Sequence, residues 1–442
     1  MNYARFGRIM GPGTWTKLLP QRAREAGVVF FGDVFSKFLT FLITLSMLAL
    51  LTPGEYRLYG LFITVLAAIN QFTDSGLHQS FIRFYSLYRN ERPGRAQAHL
   101  RFALTAKSAI LIVTAIALYL LAYPLASGLL RTPELETPLR IMTVAALGGG
   151  MMEFILAVLQ ARQEFNRFSL VRIAEAAIKT GAIYAAIAFS FFSLSLVYAS
   201  YAFAPLLVAI VTLFFISTRP IHAQYDWKDI GREVIGFGKW MMLTSFATMF
   251  LMRLDVFMIT PMLAEQPEEA GLYIAAAKLC TPLIVLAGSV STVFFPKAME
   301  LRSLADMRRY VRHSFSVSLP VVGLGCLYLI AMYLSVPVFF PAYTASMPLF
   351  AVLFVGYAWT IIGNPLTMLM LSIGRERIAT WIALGQLVVT GLSHYFFITV
   401  LGSIGAAISS VLIWFTAGAV TLLYIYFHRN EITDVVIRRQ QE

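Results

Sequence analysis

Twelve stretches of roughly twenty or more mostly apolar residues follow one another along the chain, each long enough to cross the ~30 Å core of a bilayer as a helix. Their approximate limits are 28–52, 58–82, 102–123, 138–160, 169–190, 195–217, 235–262, 270–295, 314–337, 345–373, 378–399 and 403–427. Backbone polar groups find no water in hydrocarbon, so such stretches must hydrogen-bond internally. The predicted class is therefore an all-α polytopic membrane protein of twelve transmembrane helices. Composition agrees: 58% of residues are hydrophobic and 13% charged, against roughly 45–50% and about 25% in soluble globular chains. That balance excludes a soluble multidomain protein, a disordered chain, a disulfide scaffold and a collagen-like repeat. Cys280 and Cys326 both fall within apolar runs and read as packing residues, not as a disulfide or metal site.

The formal charge of +12 is explained by where the cations lie. With the N-terminus inside, twenty-six of the 35 Lys and Arg residues fall in cytoplasmic segments. Only Arg57, Arg131 and Arg140 fall outside, and six lie within spans. This is the positive-inside pattern, and it requires an even number of crossings. Nucleic acid is thereby excluded as a partner. Segment 1–27 has no uninterrupted apolar region and no small-residue cleavage site, so it reads as a cytoplasmic arm and not a signal peptide. The longest external loop, 124–137, leaves no room for an extramembrane catalytic domain.

Weak internal repeats divide the chain. Glu55-Tyr56-Arg57-Leu58-Tyr59 is echoed by Glu269-Ala270-Gly271-Leu272-Tyr273, Thr180-Gly181 by Thr390-Gly391, and Ile210-Val211-Thr212-Leu213 by Ala419-Val420-Thr421-Leu422. The offsets are nearly constant. The predicted domains are a cytoplasmic arm (1–27), a first six-helix lobe (28–217), a cytoplasmic interdomain linker (218–234), a second six-helix lobe (235–427) and a cytoplasmic tail (428–442). Six spans per lobe give both lobes one orientation, related by an axis along the membrane normal.

Charges inside spans are costly and point to function. Asp33, Asp74, Lys107, Glu153, Glu175 and Lys239 fall in the cytoplasmic third of their helices. Lys37, Lys179 and Lys278 fall near the midplane, with Arg253 further out and Asp255 beyond it. Four cations in the middle layer without an acid at the same depth suit an anion such as phosphate or pyrophosphate. The candidate headgroup-binding residues are thus Lys37, Lys179, Arg253 and Lys278. Asp33, Asp74, Glu175 and Asp255 are the candidate ion-coupling carboxylates. A purely structural reading stands beside this one. Asp33–Lys37 and Glu175–Lys179 have the i,i+4 spacing that lets a pair neutralise itself. Lys107, Lys239 and Arg253 are placed to snorkel towards water, and Asp74 and Glu153 to serve as hydrogen-bond partners. Pro205, Pro282, Pro320 and Pro365 mark candidate kinks, Gly363-Asn364-Pro365 a bend, and Gly148-Gly149-Gly150 a loosened fourth span. Of six His, His78 alone lies well inside a span and His394 near the outer end of another, with no metal or triad spacing.

The stretch from Pro53-Gly54-Glu55-Tyr56-Arg57-Leu58-Tyr59 through Asp74-Ser75-Gly76-Leu77 to Arg83-Phe84, with Gly271-Leu272-Tyr273 later, resembles the bacterial polysaccharide exporters and lipid-linked oligosaccharide flippases of the multidrug/oligosaccharidyl-lipid/polysaccharide exporter superfamily. Arg57 replaces a usual small residue and Ser75 a usual Leu. The resemblance implies a V-shaped pair of lobes working by alternating access, with a cationic cleft for an undecaprenyl-pyrophosphate-linked glycan. It also implies coupling to H⁺ or Na⁺ without a bound cofactor, and location in the bacterial inner membrane. The expected partners are the glycolipid, membrane lipids, a polysaccharide polymerase and glycosyltransferases. Three rivals differ in what they need. A cation-coupled drug exporter favours midplane acids over bases. A membrane-embedded polymerase or ligase needs positioned catalytic groups and a large external loop. A scaffold needs no buried charge.

Overall fold

The computed structural model describes residues 12–74, 76–215, 227–299, 304–372 and 376–427. Its regular elements are helices: α1 (Pro12–Leu50), α2 (Pro53–Asp74), α3 (Leu77–Tyr88), α4 (Pro93–Tyr123), α5 (Glu136–Ala161), α6 (Phe165–Ala188), α7 (Leu194–Phe215), α8 (Trp227–Met262), α9 (Pro267–Leu279), α10 (Thr281–Met299), α11 (Leu304–Phe339), α12 (Met347–Ser372) and α13 (Glu376–Phe427). Pro53, Pro93 and Pro267 each open a helix, the position where a missing N–H costs no internal bond.

All twelve expected stretches are helical, within a few residues at their ends. Three features depart from twelve separate, unbroken spans. The second stretch is split into α2 and α3 at Gly76, which has a φ of 70°, and the eighth into α9 and α10 at Cys280, just before Pro282. The last two stretches form one element, α13, that turns at Gly402 with a φ of 59°. The turn brings Gly405 so close to the Phe397 carbonyl that a Cβ there would lie 1.9 Å from the oxygen. Among the described residues, nine helical stretches are long and apolar enough to cross a membrane, and the last of them, Leu384–Val420, runs through this turn. The second and fifth expected spans fall outside that set. Asn70, Gln71 and Asp74 make one polar, and Arg172, Glu175 and Lys179 the other. The chain is a multi-pass helical membrane protein.

Two compact units emerge. The first comprises Met1–Ile43, Thr73–Tyr119 and Arg140–Met241. One core cluster gathers Phe81 and Tyr85 of α3, Leu100 and Ala103 of α4, Phe154 and Ala157 of α5, and Ile230 and Val234 of α8. A second joins Ile155 and Leu159 of α5 to Val171 of α6 and Val208 of α7. The glycine triplet does not loosen α5. A Cβ on Gly148 would stand 2.7 Å from Leu206 of α7, and one on Gly150 2.3 Å from Leu111 of α4. The triplet permits close helix approach, the usual use of small residues in membranes. Residues 227–234, expected as linker, are helical and belong to α8. Glu233 there receives Arg95 at 2.5 Å and Tyr88 at 3.4 Å, with His99 Nε2 at 3.1 Å. Residues 218–226 and the tail 428–442 lie outside the described residues, and the arm is helical from Pro12.

The second unit comprises Thr44–Phe72, Leu120–Leu139 and Met242–Glu442. Within it the repeat-equivalent motifs meet. A Cβ on Gly271 of α9 would lie 1.8 Å from the Pro53 carbonyl oxygen of α2, and one on Gly60 2.2 Å from Ile274. Tyr343, just before α12, donates to the Leu51 carbonyl at 2.8 Å, with its ring 5.6 Å from that of Tyr56. Thr52 and Glu55 form a capping box at the start of α2, the Glu55 carboxylate accepting from the Thr52 N–H at 2.9 Å. Pro365 lies inside α12, and the bond it removes is compensated locally. Proline removes the N–H that would bond to Ile361, and the Ile361 carbonyl instead accepts from Ser318 of α11 at 3.0 Å. Backbone at Gly271 cannot retreat as a side chain can, so Gly271→Ala is expected to destabilise by about 3 kcal/mol. Gly323→Ala, whose methyl meets nothing within 4 Å, is expected to be neutral. Thermal unfolding in detergent compares the two, and equal midpoints would refute the packing argument.

Candidate transport site

The eight candidate residues divide between the units. Lys37, Lys179, Asp33, Asp74 and Glu175 belong to the first, and Arg253, Lys278 and Asp255 to the second.

In the first unit both midplane lysines are paired. Lys37 lies 2.6 Å from Asp33, which Arg172 of α6 also approaches at 2.5 Å. Lys179 is buried, 2.7 Å from Glu175 and 4.5 Å from the centre of the Tyr201 ring. The i,i+4 spacing places each carboxylate one turn away, and a low dielectric favours the closed pair. The self-neutralising reading therefore describes both lysines, and the surplus of four midplane cations falls to two. Asp74 lies 3.5 Å from His78 Nδ1. Lys107 does not snorkel. It is 2% exposed, its Nζ donates to the Thr73 carbonyl at 3.0 Å, and Asp74 and Glu153 act on its charge. The break after α2 explains this. It leaves helix-terminal carbonyls without N–H partners, and an ammonium satisfies them while opposing the negative end of the helix dipole. Lys239 is exposed.

In the second unit, among the described residues, neither Arg253 nor Lys278 forms an ion pair within 4.0 Å. Arg253 and Asp255 each act on the Lys278 charge. Asp255 Oδ2 accepts from the Tyr273 hydroxyl at 2.9 Å, whereas Oδ1 is buried without a hydrogen-bond partner. Of the candidate residues, the second unit thus holds two basic groups and one half-satisfied carboxylate, a local excess of basic groups suited to a multivalent anion.

The Tyr273 hydroxyl continues to Ser410 of α13 at 3.1 Å, and Ser410 lies 3.4 Å from His394 Nε2. His394 Nδ1 lies 3.0 Å from both the Thr390 carbonyl and Ser409 Oγ. Sequence spacing did not connect these groups because they come from three helices. The usable signal was Tyr273, the repeat counterpart of Tyr59.

The fold, an all-helical bundle with charged groups inside apolar spans, is that of transporters of the MOP superfamily. A lipid II flippase MurJ structure in an inward closed conformation matches with a TM-score of 0.71 and 11% identity, over 90% of this chain and 87% of that one. A multidrug resistance MATE family transporter in an inward-facing conformation matches with a TM-score of 0.68 and 15% identity, over 90% and 95%. The chain belongs to the polysaccharide biosynthesis protein family, whose profile matches residues 47–360. It is 21% identical over 379 residues to the "Putative O-antigen transporter" of Shigella flexneri, covering 81% of this chain and 87% of that protein.

Proposed function

We propose that this protein is a flippase that moves a lipid-linked oligosaccharide, built on undecaprenyl pyrophosphate, from the cytoplasmic to the outer leaflet of the bacterial inner membrane for surface polysaccharide assembly. Arg253 and Lys278, basic groups inside apolar helices without an ion pair within 4.0 Å among the described residues, carry the reading. An open cationic pair is costly in hydrocarbon unless it meets an anion, and a pyrophosphate between tail and glycan is such an anion. Membership of the polysaccharide biosynthesis family and the name of the Shigella relative, an O-antigen transporter, support the cargo class. The two six-helix halves, 28–217 and 235–427, would alternate access with both termini cytoplasmic. Lys37 and Lys179 would meet the headgroup in the first half, each releasing its own carboxylate. Asp255 leads the coupling carboxylates, ahead of Asp33, Asp74 and Glu175, because its Oδ1 is unpartnered. Glycosyltransferases would supply the cargo and a polymerase would take it.

A second reading, a cation-coupled exporter of drugs, has the MATE fold likeness in its favour. Proteoliposomes loaded either with a lipid-linked oligosaccharide or with a cationic dye separate the two. The expected result is lectin-accessible glycan appearing across the bilayer without dye efflux. Dye efflux with immobile glycolipid would replace the proposal by the rival.

A further inference from the structure

We propose that the first unit holds an anionic phospholipid of the cytoplasmic leaflet, with one acyl chain in a groove between α1 and α6 and the phosphate in a polar pocket at the turn from α5 to α6. The occupant is a resident lipid and not cargo, so the site lies outside the transport reading.

The two helices touch at Gly32, where a Cβ would lie 2.7 Å from that of Ser169. Ser169 donates to the Val28 carbonyl at 3.1 Å. Beside this crossing α1 carries no side chain at Gly27, and a Cβ there would meet nothing within 4 Å. The result is an open groove of about 740 Å³ walled by Val28, Phe31, Phe35, Leu170 and Ile173, within the roughly 300–1,000 Å³ of ordinary ligand clefts. Among the described residues, the polar side chains in its lining are Asn166 and Ser169, and the Ser169 hydroxyl is already spent on Val28. An alkyl chain suits such a groove and a sugar does not, since buried hydroxyls need partners.

Asn166 also lines a second pocket, of about 450 Å³, with Gln163, Glu164, Phe165 and Arg167. The apolar groove thus adjoins a polar pocket, in the tail-and-head order of a lipid. Cations gather at that pocket. Residues 162–167 hold two arginines and one carboxylate, and Arg89 of α3 reaches the Arg162 carbonyl at 2.7 Å and Gln163 Oε1 at 3.4 Å. Arg167 lies 2.7 Å from Glu164 in an exposed pair, of the kind that holds weakly and can turn to a phosphate. The positive-inside pattern puts this turn on the cytoplasmic side, where basic pockets between membrane helices hold anionic headgroups.

Helix phase separates this lipid from cargo. At about 100° per residue, the row Val28, Phe31, Phe35 lies roughly half a turn from the row Asp33, Lys37, Thr40, Thr44. On α6, Leu170 and Ile173 lie roughly 150° from the row Arg172, Glu175, Lys179. Phe31 and Leu170 are exposed, whereas Lys179 is buried. The charged rows that would meet a transported headgroup turn away from the groove.

The test uses full-length protein in detergent, titrated with phosphatidylglycerol or with phosphatidylcholine of the same acyl chains, with bound lipid counted by native mass spectrometry. Wild type is expected to retain one phosphatidylglycerol roughly tenfold more tightly than phosphatidylcholine. Gly27→Trp fills the groove from a position with open space. It is expected to weaken phosphatidylglycerol retention by about tenfold or more, with a lipid-free unfolding midpoint like that of wild type. Arg167→Gln is expected to keep the lipid but lower the preference for phosphatidylglycerol roughly fivefold, the worth of one surface cation. Equal affinity of wild type for the two lipids, or wild-type retention by Gly27→Trp, would overturn the proposal. Displacement of phosphatidylglycerol from wild type by a lipid-linked oligosaccharide would give the groove to cargo and overturn it too. None of these outcomes bears on Arg253 or Lys278, so the proposed function stands or falls separately.

Discussion

Changing Lys278 or Arg253 to Ala is expected to slow glycolipid transport by ten- to a hundredfold, the equivalent of about 1.5–3 kcal/mol for a hydrogen bond to a charged group. Neither cation has an ion-pair partner among the described residues, so each is available to a pyrophosphate. Lys37→Ala is expected to cost far less, because Lys37 is half exposed and Asp33 keeps Arg172 when it is gone. Lys179→Ala falls between, since it strands the partly buried Glu175. Lys278→Arg keeps the charge and is expected to recover most of the rate. Unfolding midpoints measured alongside separate lost binding from lost folding. Rates equal to wild type in Lys278→Ala and Arg253→Ala, with normal expression, would remove the anion-site assignment.

Lys107→Met is expected to produce the largest loss of stability among single changes to charged residues, about 3–5 kcal/mol, the usual cost of stranding buried partners of a charge. The change removes the donor from the Thr73 carbonyl and the cation that faces Asp74 and Glu153. The measurement is the detergent unfolding midpoint, with Lys239→Met as the exposed comparison. A midpoint like that of Lys239→Met would mean that Lys107 does not anchor the end of α2. Lys107→Arg keeps the charge and is expected to restore part of the loss.

The helices were legible because each is longer than a bilayer is thick and its apolar residues leave no competing structure. Breaks within them were only partly legible. Pro282 and Gly76 are local signals and fall at real interruptions, whereas the role of Gly148 and Gly150 depends on Leu206 and Leu111, which the chain brings together from a distance. The same distinction governs the site. Lys37 and Lys179 carry their partners one helical turn away, so their pairing could be read beside the functional alternative. The fate of Lys107 depends on a break in another helix, and the connection of His394 to Asp255 on a hydroxyl from α9 and another from the far arm of α13. Arg57, noted only as a departure from a family motif, is buried at the start of α2 with Nε and one Nη unpartnered, and Glu134 acts on its charge.

The compact unit that holds Arg253, Lys278 and Asp255 takes residues 44–72 and 120–139 from the front of the chain. Its tightest backbone approach, Gly271 against Pro53, joins one copy of the repeated motif to the other. A severed protein, cut between 218 and 226, would therefore yield a rear fragment that lacks part of its own interior. Co-expression of the two pieces should restore what neither achieves alone.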